Sequence, residues 1–123
     1  MSDTPKFYIT TPIYYVNARP HIGHAYTTVV ADAIARRKRA LGFETWLLTG
    51  TDEHGQKIER SARVAGQTPQ EFADAVSSQF RGLWDRMGLS YDCLLYTSSS
   101  ATRLGPYEIL SQIGSGGMGE RCV

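Results

Sequence analysis

Pro12-Ile13-Tyr14-Tyr15-Val16-Asn17-Ala18-Arg19-Pro20-His21-Ile22-Gly23-His24 joins two kinds of periodicity. Before it, residues 6–10 are short, aromatic and β-branched, the signature of a buried strand. After it, Tyr26, Val29, Val30, Ala33, Ile34, Ala40 and Leu41 recur at helical spacing on one broad face, and Gly42 can close the helix. The two prolines, the Asn and the Ala-Arg pair between them are loop chemistry. A helix opening on His21-Ile22-Gly23-His24 sets two imidazoles beside unpaired backbone N–H groups at the positive end of its dipole, a place to hold phosphate.

Working outward, residues 43–48 read as a second buried strand between Gly42 and Gly50. Strand, helix and strand at this spacing make a βαβ unit, so the two strands should lie parallel with a right-handed crossover. That topology brings residues 13–24 and 51–54 to the same sheet edge, where open α/β folds bind ligands. Residues 56–65 read as a second helix, with Ile58, Ala62 and Ala65 inward and Gly66 at its end. Thr68-Pro69-Gln70-Glu71 then combines a capping residue, proline at the first helical position and Glu three residues after the cap. Phe72, Val76, Phe80, Leu83 and Met87 follow as a core stripe, and Gly88 supplies the stop.

The chain of 123 residues, 41% hydrophobic and 20% charged, has the composition of a globular protein rather than a disordered one. A net charge of +1 gives no long-range field for a polyanion. The basic run Arg36-Arg37-Lys38-Arg39 falls in the last helical turn, where cations suit the dipole; a tRNA contact is the alternative. Cys93 and Cys122 are far apart and indicate neither a disulfide framework nor a zinc site. The N-terminus lacks the apolar core of a secretion signal and no run approaches membrane-span length, so a cytoplasmic protein with no membrane partner is expected.

His21 and His24 admit three readings: buried core histidines, phosphate contacts, or metal ligands with His54 as a third. Placement at i and i+3 around a glycine at a helix start favours phosphate, and Gly23 lets a ligand approach the backbone closely. The zinc reading lacks further ligands at suitable spacing, so no metal ligand is assigned. Asp52 ends the second strand; its carboxylate either points into the crevice or caps the next helix. Asn17 either orients a nucleotide or makes an Asx-turn.

These residues resemble a known family. His21-Ile22-Gly23-His24 is similar to the HIGH signature of class I aminoacyl-tRNA synthetases. Thr11-Pro12-Ile13-Tyr14-Tyr15-Val16-Asn17 and Thr49-Gly50-Thr51-Asp52-Glu53-His54-Gly55-Gln56 resemble the methionyl branch over roughly residues 1–92. The resemblance implies a partial Rossmann-like α/β fold, the βαβ unit plus two helices. It also implies ATP-dependent activation of methionine, with Mg²⁺ accompanying the ATP, and transfer to tRNA in the full-length protein. His21 and His24 are then the catalytic pair, with Asn17, His21, Gly23 and His24 on ATP and Ile13, Tyr15 and Asp52 on methionine. His54 stays undecided between adenosine contact and structural hydrogen bonding. The family's Lys-Met-Ser-Lys-Ser loop, its connective insertion, which often carries zinc, and its anticodon-binding domain are not in the sequence. Residues 1–92 are therefore expected to carry no zinc, to be inactive alone and to be marginally stable in isolation. A small adenylyltransferase with a related His-x-Gly-His, or an inert truncated product, are the rivals.

From Cys93 the pattern changes. Residues 93–103 show neither helical nor alternating period and contain a serine run, so they read as a junction. In the tail, 104–123, Gly114, Gly116 and Gly119 match the Gly-x-Gly-x-x-Gly spacing and resemble the glycine-rich loop of bacterial Ser/Thr protein kinases. Arg121 stands where that motif has Val, and the chain ends before a catalytic lysine strand, so a foreign tail with irregular or short β structure is expected.

Overall fold

The computed structural model describes residues 3–96, 103–104, 107–108, 112–116 and 119–122. The order is β1 (Lys6–Tyr15), α1 (Ile22–Ala40), β2 (Glu44–Asp52), α2 (Gln56–Ala65), α3 (Pro69–Arg86) and β3 (Cys93–Tyr96). Two short hairpins follow, β4 (Arg103–Leu104) with β5 (Tyr107–Glu108), and β6 (Gln112–Gly116) with β7 (Gly119–Cys122). β1, β2 and β3 form one parallel sheet with β2 in the middle. The expected parallel βαβ unit is therefore present, and the helix boundaries at 56–65 and after Thr68 fall where the capping chemistry puts them. Thr68 accepts from the Glu71 amide while the Glu71 carboxylate accepts from the Thr68 amide.

Three features depart from the sequence reading. First, Cys93–Tyr96, read as the start of a junction, is the third strand and pairs in register from Leu48↔Cys93 to Thr51↔Tyr96. Its four residues, of which Cys93, Leu94 and Leu95 are all apolar and half-buried at the edge of the sheet, are too few and too uniform to show an alternating period. Residues 97–102 of that junction lie outside the described residues.

Second, β1 runs on to Tyr15 through a bulge. Thr10 pairs with Leu48 and Ile13 with Gly50, three steps on one strand against two on its neighbour. Pro12, which has no N–H to give a ladder, sits in the irregular segment. The extra residue shifts the side-chain phase. Ile9 packs on the Ala31, Ala35 and Leu47 cluster before the bulge, whereas Tyr14 and Val16 are the buried positions after it. Ile13 and Tyr15 are thereby turned outward, 39% and 49% exposed.

Third, α1 presents the opposite face from the one its periodicity suggests. Thr28, Ala31, Asp32 and Ala35 are buried, while Tyr26, Val29, Val30 and Ile34 are exposed. Small side chains let the helix approach the sheet closely, and its larger apolar residues remain uncovered. Three residues of the basic run make contacts within the chain, and Arg36 bonds Asp32 and the Gly88 carbonyl. Arg39 binds the Ser90 carbonyl and hydroxyl and the Asp92 carboxylate, and Lys38 lies over the Phe7 and Phe43 rings at 4.7 and 4.5 Å.

The main core lies between the sheet end and α2 and α3: Tyr14, Val16, Ile58, Ala73, Val76, Phe80 and Trp84. Met87, assigned to the core stripe from sequence, is 41% exposed, and Trp84 takes the inward position at 1%.

Candidate functional site

β1 ends at Tyr15 and the chain reaches α1 through residues 16–21, delivering His21 as the N-cap in an extended conformation. The two histidines cap the helix reciprocally. Nδ1 of His21 accepts from the Gly23 amide at 3.1 Å, and Nδ1 of His24 accepts from the His21 amide at 3.2 Å. This is the geometry of a Ser/Glu capping box carried out by two imidazoles. A neutral ring that accepts at Nδ1 carries its proton on Nε2, so both rings are fixed as Nε2–H donors. The rings stack at 3.7 Å with planes 20° apart. A Cβ on Gly23 would meet His21 Cε1 at 2.9 Å, so the glycine gives room to the ring.

His24 is half-buried and His21 exposed. Burial, and then the neighbouring His21, hold His24 below the ordinary imidazole value, which keeps Nδ1 free to accept. The ring rests against Tyr14 at 4.8 Å and Phe80 at 5.1 Å. Tyr14 in turn stacks on Phe80. The Thr28 hydroxyl donates to the His24 carbonyl, so Tyr14 donates to Thr28 at 2.9 Å. That relay ties β1 to the first turns of α1.

A second cluster forms on the outward side of the strand ends. Tyr15 pairs with Asp52 and Ile13 with Gly50. Asp52 is half-buried, its carbonyl accepts from the Val16 amide, and its carboxylate accepts from the His54 amide at 3.2 Å. The helix-cap alternative fails: α2 has Gly55 as its N-cap and no side-chain capping bond. The consecutive residues Tyr14 and Tyr15 lie on opposite sides of the end of β1, Tyr14 against the His24 ring and Tyr15 in register with Asp52. Exposed His54 takes part through its backbone, and Asn17 through its carbonyl, which accepts from Ser61 at 3.3 Å. Gly114, Gly116 and Gly119 lie in the β6–β7 hairpin, where Gly116 pairs with Gly119.

Sequence reasoning missed two buried polar groups, Ser77 at this edge and Asp32 where the chain approaches β3. Ser77 of α3, 2% exposed, donates to Glu53 Oε1 at 2.7 Å and bonds Thr51 Oγ1 at 3.1 Å. Asp32 of α1 accepts from the Ser90 amide and hydroxyl and from Arg36. Burial alone would raise the Asp32 carboxyl, but the Ser90 and Arg36 hydrogen bonds and the Arg36 charge outweigh it and hold it below its usual value. Ser77 sits one residue after Val76 in an apolar stripe, and only a register for β2 against α3 could have singled it out. Among the described residues no group of three or more His, Cys, Asp or Glu is placed to hold a metal ion, and no helix is long and apolar enough to cross a membrane.

A parallel sheet whose first strand feeds a histidine-capped helix, with an acid at the end of the next strand, defines an α/β core of the class I synthetase type. Residues 7–118 match the family model "tRNA synthetases class I (M)", and the chain belongs to that family. The match runs past Asp92, where the sequence reading ends the resemblance. The methionine–tRNA ligase of Campylobacter jejuni is 57% identical over 96 residues, covering 78% of this chain and 15% of the relative. The Thermotoga maritima ligase is 56% identical over 93 residues, 76% and 15% of the two chains. A crystal structure of Mycobacterium tuberculosis methionyl-tRNA synthetase bound by methionyl-adenylate superposes with a TM-score of 0.76 at 39% identity, covering 79% of this chain and 19% of that one. The chain therefore spans about 15% of the length of the curated relatives it matches.

Proposed function

We propose that this chain forms the N-terminal, substrate-gripping part of a methionine–tRNA ligase. In the reaction a methionine carboxylate oxygen attacks the α-phosphorus of ATP and pyrophosphate leaves. A hydroxyl of the terminal adenosine of tRNA then attacks the methionyl carbonyl of the adenylate, the ester forms and AMP leaves. The observation that carries the reading is the reciprocal histidine cap. Two imidazoles held as Nε2–H donors at a helix N-terminus suit the charge that builds on phosphate oxygens and need little reorganisation as it does so. His21 and His24 serve as these donors, with Gly23 giving the triphosphate access to the backbone and Asn17 beside the nucleotide. Ile13 and Tyr15 offer exposed apolar surface for the methionine side chain, and Asp52 pairs with its ammonium. Mg²⁺ enters with the triphosphate as part of the substrate. The reaction takes place in the cytoplasm, and tRNA is engaged by the full-length protein only.

We further propose that the chain after β3 is a seam leading into a tail of foreign origin, supported by the serine run and the kinase-like glycine spacing. Reading the nucleic acid across codons 92–104 tests this; one uninterrupted synthetase-coding frame would refute it.

ATP–pyrophosphate exchange tests the function, run with methionine and with other amino acids on this chain and on a version extended to the length of its relatives. Methionine-dependent exchange in the extended version alone is expected. Exchange that ignores the amino acid would replace the proposal with a general adenylyltransferase.

A further inference from the structure

We infer that Ser77 is a positioning residue for Asp52, acting from the far side of the sheet. The inference rests on the reading above that Asp52 binds the substrate ammonium. Thr51 and Glu53 flank Asp52, and both are buried, at 1% and 8%. One hydroxyl joins them: Ser77 gives its proton to Glu53 and accepts that of Thr51. Side chains alternate along an extended strand, so fixing Thr51 on the helix side commits Asp52, the last residue of β2, to the other, and the bond to Glu53 holds the chain as it leaves the strand. The Val16 amide holds the Asp52 carbonyl and the His54 amide holds its carboxylate, which completes a clamp on the residue before α2 begins. Ser77 itself sits among Ala73, Val76, Phe80 and Trp84 in the face of α3 that packs on the core. A hydroxyl there is costly unless it is fully bonded, and both its bonds go to the neighbours of Asp52.

A structural serine and a positioning serine differ in what they do to substrates with and without an amine. The test uses a full-length methionine–tRNA ligase whose matching N-terminal stretch is replaced by residues 3–96 of this chain. Its probes are methionine and the α-hydroxy analogue, in which a hydroxyl replaces the ammonium. Ser77→Ala is expected to weaken methionine binding between about 10- and 100-fold, the range a displaced binding group produces, with the hydroxy analogue and the KM for ATP unchanged. Ser77→Thr, which keeps the donor, should restore the preference for the amine. Equal losses for both probes, or no loss for either, would overturn the inference.

Asp52→Asn separates this from the underlying reading. If it leaves the amine preference intact, the assignment of Asp52 itself is wrong and the role of Ser77 goes with it. If Asp52→Asn abolishes the preference and Ser77→Ala does not alter it, only the inference falls. Should the graft fail to fold, hydrogen exchange on the 123-residue chain decides. The His54 amide, bonded to Asp52, should exchange faster in Ser77→Ala while amides of α1 keep their rates, and unchanged His54 exchange would overturn the inference.

Discussion

Replacing Gly23 by Ala separates the stability of the helix start from its chemistry. In an ordinary helix the change stabilises by roughly 0.5–1 kcal/mol, because glycine has more backbone freedom to lose. Here the new Cβ would lie 2.9 Å from His21 Cε1 and 3.1 Å from Nδ1, closer than carbon and imidazole atoms can approach. The ring must swing away, and the Gly23 amide then loses its acceptor. Loss of a capping bond costs about 1 kcal/mol. The two effects offset, so the melting free energy of Gly23→Ala should stay within about 1 kcal/mol of the parent. Chemistry has no such compensation. In the role proposed for His21, a phosphate donor moved off its position costs about 10²–10³-fold in rate, the scale of losing one oxyanion-hole donor. Urea melts of the chain, imidazole ¹⁵N spectra of His21, and ATP–pyrophosphate exchange in the extended protein measure the three quantities. A variant gaining the full helix benefit, with His21 still in its Nε2–H form and exchange unimpaired, would refute the account of the cap.

Gly50→Ala would place a Cβ 2.6 Å from the Leu95 carbonyl oxygen, a backbone atom that cannot step aside, so a loss of about 1–3 kcal/mol is expected in urea unfolding. Asp32→Ala leaves the Ser90 donors and Arg36 without their acceptor and should cost about 2–3 kcal/mol. The Asp32 carboxyl lies below its ordinary value in the folded chain. Its stabilisation is therefore complete above the unfolded carboxyl value and disappears as pH falls through the lowered one, a slope that Asp32→Asn should flatten. For His24 the lowered value means that the unfolded chain takes up the proton first as pH drops through about 6.5. Stability should thus be greatest above that pH and decline below it, and in pH-dependent melts His24→Asn should remove the decline. Tyr26→Ser, at a position 72% exposed, should change the urea midpoint by less than about 0.5 kcal/mol equivalent; a loss of several kcal/mol would mean that the apolar stripe of α1 is core after all.

The contrast between α1 and the other helices locates what a sequence can and cannot disclose. Periodicity reports that a helix has an apolar face; it does not say which neighbour covers it. For α3 the two coincide, because Val76 and Phe80 meet Tyr14 within the same chain. For α1 they part: Tyr26, Val29, Val30 and Ile34 point away from the sheet, and the contacts beneath are made by Thr28, Ala31, Asp32 and Ala35, a face that ranks below the larger apolar one by hydrophobicity. The bulge at Thr11-Pro12 escaped for a related reason: an added residue inverts every later side chain, and proline marks the irregularity without giving its phase. The geometry of the candidate site was legible where it follows from residue type and spacing, as with two histidines bracketing a glycine at a helix start. They were hidden where the role depends on a partner distant in the chain. Ser77 is separated from Glu53 by 24 residues, and only the placement of α3 against the end of β2 turns an ordinary helical serine into the group that joins the two neighbours of Asp52. The local geometry of this edge was therefore readable in its motifs, and its rigidity was not, because rigidity comes from buried polar bonds between elements.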